Sequence, residues 1–546
     1  MNSNQANIAF ENEVQAILAW LQGRIRSGCG YSVAVLSDRL MQRIIEISLR
    51  PYTNLVAAVS KSGADCLPAA GTWLDCGLAR LEFGSGRVAL SMTQWIRNQL
   101  EFIAHWTYSM AAILAVTAKR RDIESPAVLV FAVAEESLFQ DGCDRRFVDY
   151  CLSGPIAPLR AGRRFIVQSG TKGAHSVDQR FSYTRSPIID LLRDAKLGIM
   201  TRLGMAARHL LLLFEYAFAS IRFPAISLLA RDIPYGAAVD GLERRGLIAS
   251  VVLTGSNYTS QPLWSRVLPR SKIHMVWYSQ SAKPITYSAD GIESDTPNLR
   301  WIRIGTLWLW TRALAEYARR LIPDTTIEAV GPILWYLPEI KRPPQDRLCI
   351  AIFDVPALTD GVALSVGLFP NYYHVANLSA FLDDIIGLKA GLEERFHLPV
   401  SFVLKTKRQY HSTNDRSYFD YLEQLGSNGT ITLVHYETNM YSLISASHLV
   451  MAYPFSSPAY VADALGIPSI YYDPTGLIVR CDFGDPPSKI RFAANRKELC
   501  DASIAALDEG IGCAGGRTPA AGSGPVFDLQ AASIDRESLT ESSTRI

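Results

Sequence analysis

The 546-residue sequence lacks several signals that would place it quickly. Its nine cysteines form no C-x-x-C pair and no His/Cys ligand spacing, so the pattern predicts neither a zinc site nor a disulfide framework. Reduced thiols fit a cytoplasmic protein. Charge of one sign is also lacking: 54 Lys and Arg against 52 Asp and Glu leave a net +2, without the basic excess of a protein that tracks nucleic acid. Glu11 and Glu13 interrupt any apolar core near the start, and no signal peptide is expected. The greasiest stretch, HLLLLFEYAFASIRFPAISLLA (His209–Ala230), carries Glu215, Arg222 and the helix-breaking Pro224, so a membrane span is not expected. With Arg202, Arg208, Arg222 and Arg231 on or beside it, this stretch suits either peripheral contact with the anionic inner face of a membrane or a helix pair buried between domains. Internal repeats, coiled-coil heptads and long like-charge blocks are absent too.

What is present is a large, core-forming chain, 48% hydrophobic and long enough for two or three domains. Residues 1–122 read as a mainly helical N-terminal extension, with apolar residues at three- and four-residue spacing in EVQAILAWLQGRI, DRLMQRIIEISL and SMTQWIRNQLEFIAHW. From Ala127 the pattern changes to short apolar strands, AVLVFAVA, RFIVQS, LIASVVLTG, HMVWYS and LRWIRIGT, separated by helical runs, which predicts a parallel sheet over 123–335. LWLWTRALAEYARRL reads as a helix, and the Pro-rich segment after it, PDTTIEAVGPILWYLPEIKRPPQDR, as the crossing between domains. A second α/β set, 346–510, begins with LCIAIFD and continues through a long helix, the strand PVSFVLK and ITLVHYE. The fold class is therefore α/β with two Rossmann-like domains, whose ligands would sit at the carboxyl ends of the strands, facing a shared cleft. The tail, 511–546, lacks apolar periodicity and is expected to be disordered.

The most informative segment is MAYPFSSPAYVADALGIPSIYYD, Met451 to Asp473, which reads as a strand, a hydroxyl-rich corner, a helix and a second strand. Ser456 and Ser457 stand where a helix N-cap belongs, and Pro458 is expected at the first helical position. Ala462, Ala464 and Gly466 would keep the helix thin enough to lie close on a sheet. Read alone, Ser-Ser-Pro is a helix cap. Read with its strand, it is a corner where free N–H groups and two hydroxyls can meet a phosphate.

Pro454, Phe455, Ser456 and Ser457 resemble the Pro-Phe-Thr-Ser motif of a bacterial polysaccharide-biosynthesis family, with Ser in place of Thr at the third position. The domain around them is similar to the C-terminal domain of GT-B glycosyltransferases. SFVLKTKRQYH, VVLTGSNYTSQPLW and HMVWYSQSAKPI look like further pieces of the family in order, and the resemblance covers about residues 125–500. It implies a GT-B-type enzyme that moves a sugar from a nucleotide donor to a glycan or lipid-linked acceptor. Two other readings stay open: a polyol-phosphate transferase of the CDP-glycerol type, and an inactive scaffold of a polysaccharide assembly complex.

A nucleotide donor brings phosphates whose charge grows as the glycosidic bond breaks, so fixed cations and N–H groups must meet it. Lys405, Lys407 and Arg408 leave one strand end, while Ser456 and Ser457 leave the strand end two along; these five are the candidate donor site. His411, just beyond, is a loop histidine or a phosphate contact. No Asp-x-Asp stands on such a strand end, and Asp383 and Asp384 are adjacent within a helix pattern, so metal-independent transfer with no cofactor is expected. An inverting transfer needs a base, for which Glu136 and Glu135 at the end of LVFAVA are the candidates. Bacterial sialyltransferases carry a similar acidic pair followed by Gly, where this chain has Ser137. His274, Ser279, Gln280 and Lys283 are candidates for binding the acceptor or the donor sugar, although His274 taken alone reads first as a core residue. Many GT-B enzymes hold the ribose with a Glu seven residues before the counterpart of Pro468; here Val461 stands there, and Asp463 is on another face of the helix. A Ser-Ser corner without that Glu looks more like transferases of CMP-activated acidic sugars.

Overall fold

The computed structural model describes residues 3–25, 29–44, 69–75, 78–115, 126–133, 146–153, 156, 164–170, 178–255, 261–277, 302–331, 343–359, 371–407, 414–436, 438–454, 456–478 and 488–514. The chain divides into two compact units between Tyr336 and Leu337. Each is built on one parallel sheet.

In the first unit the strands are β4 (Ala127–Phe131), β5 (Phe165–Gln168), β6 (Phe181–Thr184), β7 (Ile248–Gly255), β8 (Ile273–Trp277), β9 (Thr306–Leu309) and β10 (Thr326–Ala329). Their order across the sheet is β10-β9-β8-β7-β4-β5-β6. The chain lays down β4, moves outward through β5 and β6, then returns past β4 to build the other side. The reversal between β4 and β7 is a topological switch point, where α/β sheets bind ligands at their carboxyl edge. Most residues of β4, β7 and β8 are buried, which is why they read as continuous apolar runs rather than alternating ones.

The second unit repeats the plan with β11 (Leu348–Phe353), β12 (Val400–Lys405), β13 (Thr432–Val434), β14 (Leu449–Ala452), β15 (Ser469–Tyr472) and β16 (Ile490–Ala493), in the order β13-β12-β11-β14-β15-β16. All its pairings are parallel, and its switch point lies between β11 and β14. Two doubly wound α/β units are therefore present, as the strand and helix alternation predicts.

Several boundaries differ from the sequence reading. β9 is formed by Thr306–Leu309, inside the run expected to be helical, and the helix begins only at Arg312, where the Thr311 hydroxyl accepts from Leu314 N at 3.3 Å. An all-apolar run such as LWLW has no period to separate a buried strand from a buried helix. β10 lies within the segment expected to be the crossing, and β6 was not anticipated. The helix Arg496–Ala514 runs past the expected start of the tail, and the rest of the tail, 515–546, is outside the described residues.

The N-terminal extension is not purely helical. A three-stranded antiparallel sheet, β1 (Trp73–Asp75), β2 (Arg80–Glu82) and β3 (Arg87–Ala89), stands between the helix Ser3–Arg24 and the helix Met92–Leu114. Gly86 explains its position. With φ at 61° and the backbone of Ile17 2.3 Å from where a Cβ would stand, only glycine lets the hairpin lie against the first helix. The extension shares its core with the Ile199–Arg222 helix: Leu21, Leu36 and Phe102 pack with Leu212 and Tyr216, and Phe102 stacks on Tyr216 at 3.6 Å. It belongs to the first unit rather than forming a body of its own.

Within that helix Arg202 is buried, so of the two places open to it, a basic membrane-facing surface or a packed helix pair, it takes the second. Its guanidinium donates to the carbonyls of Ile113 (2.8 Å) and Ala112 (3.5 Å), and to those of Ala195 (3.2 Å) and Leu192 (3.5 Å). These carbonyls end two helices, Met92–Leu114 and Pro187–Asp194, so one cation satisfies both negative dipole ends. Replacing Arg202 by Met removes these four bonds and takes the cation from both helix ends, though Ala195 O keeps its bond from Leu197 N. Chemical denaturation of the variant is expected to show a loss of about 2–4 kcal/mol.

Candidate functional site

The switch point of the second unit gathers the sequence-predicted groups that are described. β11 ends at Phe353 and is flanked by β12, which ends at Lys405, and β14, which ends at Ala452. Lys405 and Lys407 therefore stand on one side of β11 and the Ser456–Ser457 corner on the other. At one strand spacing per step, the two groups leave the sheet about 10 Å apart. Arg408 and His411 lie outside the described residues.

Between the two groups is a residue that the sequence reading passed over, Asp354, directly after β11. It is 3% exposed; Oδ1 accepts the Lys407 backbone N–H at 3.1 Å and Oδ2 accepts the Tyr418 hydroxyl at 2.9 Å. Burial pushes its pKa up to about 7, against the opposing pull of the Tyr418 and Lys407 hydrogen bonds and the Lys405 and Lys407 charges. The signal was in view: Asp closing the apolar run LCIAIF marks a carboxylate at a strand's carboxyl end. The Lys405 ammonium donates to the carbonyls of Tyr436 at 2.6 Å and Thr406 at 3.4 Å. Burial lowers its pKa, and the Asp354 charge opposes that shift.

On the other side, the helix Ser457–Ala464 starts one residue earlier than expected relative to Pro458, which is its second residue. Ser456 is the N-cap by position, but its side chain does not cap. It is 3% exposed; its hydroxyl donates to Tyr453 O at 2.8 Å, and its carbonyl accepts from the Tyr471 hydroxyl. The expectation of two hydroxyls turned to a ligand is thus corrected for Ser456, whose hydrogen is used in fixing the corner. Ser457 is half-buried. Tyr453 is tied in turn, its hydroxyl donating to Tyr372 O at 2.8 Å, and the Tyr372 hydroxyl donates to Asp473 at 3.0 Å. The corner is held because two hydroxyls, of Ser456 and Tyr471, bond its backbone, while Tyr453 and Tyr372 tie it on to Asp473.

Gly466 is not in the helix, as had been expected, but follows it at φ 72°. Ile467 N–H donates to Ala462 O at 2.8 Å and Gly466 N–H to Asp463 O at 3.0 Å, the paired bonds of a Schellman end that needs a left-handed residue. Asp463 accepts the Lys489 N–H at 2.5 Å at this same end, and Val461 is fully buried, so neither takes the place of a ribose-binding carboxylate. Asp383 and Asp384 lie in the helix Val375–Ile386, as expected, and accept the hydroxyls of Tyr421 and Tyr472, each at 2.5 Å. Among the described residues no three His, Cys, Asp or Glu side chains group so as to hold a metal ion.

In the first unit the carboxyl edge at the β4–β7 switch is shaped by Ala132, which sits at φ 60°. Its N–H donates to Gln168 Oε1 at 3.3 Å, and the Thr254 hydroxyl contacts the carbonyls of Ala132 and Phe131, the latter at 3.1 Å. Left-handed backbone in a non-glycine residue persists where its neighbours over-determine it. A concavity of about 390 Å³ opens here, lined by Ala132, Val133, Gln168, Ser169, Gly170 and Arg185. β4 ends at Phe131, earlier than the sequence suggested, and Glu135 and Glu136 lie outside the described residues, as do Ser279, Gln280 and Lys283.

His274 is corrected by its position. It is the second residue of β8, three residues from the carboxyl end, buried with its ring on Trp308 at 5.2 Å, and burial pushes its pKa down to about 4. It is a core residue. A cavity of about 400 Å³ beside Arg347, Lys389, Pro399 and Thr432 lies at the amino ends of the second sheet's strands, the edge away from the switch point.

Two doubly wound α/β units, one with cations and a helix corner at its switch point, define a tandem Rossmann-like architecture. Residues 213–502 match the family described as polysaccharide biosynthesis PFTS motif protein, and the chain belongs to that family. No curated protein matches the chain. Among solved structures it is similar to the wall teichoic acid polymerase TagF, at 14% identity and TM-score 0.36, over 77% of this chain and 92% of that one. It is also similar to a putative UDP-N-acetylglucosamine 2-epimerase from Listeria monocytogenes, at 12% identity and TM-score 0.37, over 70% of this chain and 89% of that one. At these TM-scores neither likeness bears on the activity of this chain.

Asp354 gives the site a pH signature. Its folded pKa, about 7, stands above the ordinary carboxylate value of 3.8, so the folded state holds a proton that the unfolded state has released. Stability is then expected to fall as pH rises from about 4 to 7, by a few kcal/mol at most. Asp354→Asn should flatten that slope, as read by urea unfolding across the same range.

Proposed function

We propose that this protein is a GT-B-type glycosyltransferase of bacterial surface-polysaccharide assembly, moving a sugar from a nucleotide donor to a glycan or lipid-linked acceptor. The observation that carries the reading is the pairing, across β11, of the Lys405–Lys407 strand end with the Ser456–Ser457 helix start. The span of about 10 Å suits a mono- or diphosphate. Family membership supports polysaccharide assembly as the setting.

In this reading the donor phosphate lies between the two groups. Lys405, Lys407 and Arg408 face it from one side, and Ser457 with the N–H groups of its uncapped helix from the other. As the bond from the anomeric carbon to the phosphate oxygen breaks, that oxygen gains charge, which fixed cations and N–H dipoles stabilise more than they stabilise the intact donor. These groups do the work that a metal ion does elsewhere. The acceptor hydroxyl loses its proton to Glu136 or Glu135 while its oxygen bonds the anomeric carbon. Ser279, Gln280 and Lys283 follow β8 and are assigned to orienting a sugar. With Val461 buried where a ribose-binding Glu is common, a CMP-activated acidic sugar fits better than a UDP-hexose. An acceptor carried on a lipid would place the work at the cytoplasmic face of the membrane.

Thermal-shift titration with CMP, CDP and UDP tests the donor site. Cytidine nucleotides are expected to stabilise the chain, and Lys405→Ala and Ser457→Ala to weaken that binding about tenfold. The Ser457 variant should lose no more than about 1 kcal/mol of stability. A chain that binds no nucleotide is a scaffold, and transfer of a phosphate along with the acceptor's new group makes it a polyol-phosphate transferase.

A second test separates catalysis from binding. Glu136→Gln should keep donor affinity while turnover falls about 10²-fold or more, and Glu135→Gln should have a much smaller effect. Near-normal turnover in both variants at saturating acceptor returns the pair to a structural role.

A further inference from the structure

Two long helices of the first unit each turn an apolar face to water. Met92–Leu114 and Ile199–Arg222 run antiparallel: Trp95 Nε1 donates to Ser220 O at 3.2 Å, Trp106 Nε1 to His209 O at 2.8 Å, and Arg202 to Ile113 O at 2.8 Å. Their polar side chains face inward, with Asn98, Ser109, Arg202, His209 and Ser220 all buried. Phe102, Leu212 and Tyr216 are buried with them, but a second set of large apolar side chains faces water. Leu203, Leu210, Phe214, Phe218 and Ile221 are 46% to 70% exposed, and Ile96, Leu100 and Ile103 continue the surface on the neighbouring helix. At 100° per residue, those of the Ile199–Arg222 helix fall within an arc of about 80°, opposite the buried polar groups. The stripe from Leu203 to Ile221 runs about 27 Å along the helix. A stripe of this size is beyond the scattered apolar exposure of an ordinary surface.

Charge decides what covers it. The exposed charged residues on the two helices are Arg97, Arg208 and Arg222; Arg208 is paired with Asp240 and Arg97 lies 3.8 Å from Glu101, itself only half-exposed like Glu215. Arg222 lies over the Phe218 ring at 4.5 Å, at the border of the apolar arc. Apolar side chains rimmed by guanidinium groups complement acyl chains beneath anionic headgroups, where long basic side chains extend back to the phosphate level. No helix among the described residues is long and apolar enough to cross a membrane, so the pair is suited to lying in the interfacial plane.

We propose that the exposed face of this helix pair docks on an anionic lipid bilayer. The proposal does not depend on which nucleotide the second unit binds. Its test is co-sedimentation of the full chain with phosphatidylcholine vesicles, with and without phosphatidylglycerol. The wild-type chain is expected to pellet with the anionic vesicles and far less with neutral ones. Phe214→Asp with Phe218→Asp should weaken binding at least about tenfold. Both sites are exposed, and an unchanged melting curve and nucleotide response check the fold; the milder Phe214→Ser serves if the double variant misfolds. Arg97→Gln with Arg222→Gln should lower binding to anionic vesicles several-fold and reduce its salt sensitivity. The proposal is overturned by a wild-type chain that stays in solution with both vesicle types, by Asp variants that pellet undiminished, or by equal binding to neutral vesicles. It is also overturned if the chain is a dimer that the Asp substitutions dissociate, which gives the face to a second copy.

Discussion

A parallel sheet that grows outward from its first strand in both directions leaves its chain no choice at that strand. The loop on one side departs one way, the loop on the other departs the opposite way, and the strand end between them stays open. In the second unit that strand is β11, and everything of chemical interest stands beside its end: Asp354 on the strand, Lys405 and Lys407 on one neighbour, Ser456 and Ser457 on the other. In the first unit the same constraint acts at β4, where Ala132 is held left-handed by Gln168 and Thr254 from the strands on either side. The topology makes the place, and the residues then give it charge and rigidity.

Rigidity in the second unit comes from buried polar groups that are nearly all partnered. Ser456, Tyr453, Tyr372 and Asp473 form a chain of hydrogen bonds from the helix corner into the core. Asp354 ties the loop after β12 to the helix Arg416–Ser427 through Lys407 N and the Tyr418 hydroxyl. A buried carboxylate with a pKa near 7 is also sensitive to any anion set before it, since added negative charge favours its protonated form. On the proposed reading, a phosphate bound at this corner would draw a proton onto Asp354.

The parallel sheets were legible in the sequence because buried strands of five or six apolar residues between helical runs have few other readings, and the paired groups followed from placing LCIAIFD, PVSFVLK and LVMA in one sheet. What the sequence hid has physical causes. LWLW carries no period, so β9 passed for helix. The three-stranded sheet near Gly86 has strands of three residues, too short to show alternation. Ser456 was taken for a hydroxyl facing a ligand because one-dimensional pattern gives its place on the helix but not the pull of Tyr453 O. His274 and Arg202 were read by residue type, whereas burial decided both.

The polar seam between the Met92–Leu114 and Ile199–Arg222 helices has a further consequence. Helices joined by an apolar seam are driven together by water, and that drive vanishes where the surroundings are themselves oily. Beside the contact of Phe102 with Tyr216, Arg202, His209 and the two indole N–H groups join these helices by hydrogen bonds. Such bonds strengthen as the local dielectric falls. The share of the fastening that these bonds supply does not depend on water, a rivet set beside the suction cup of Phe102 on Tyr216.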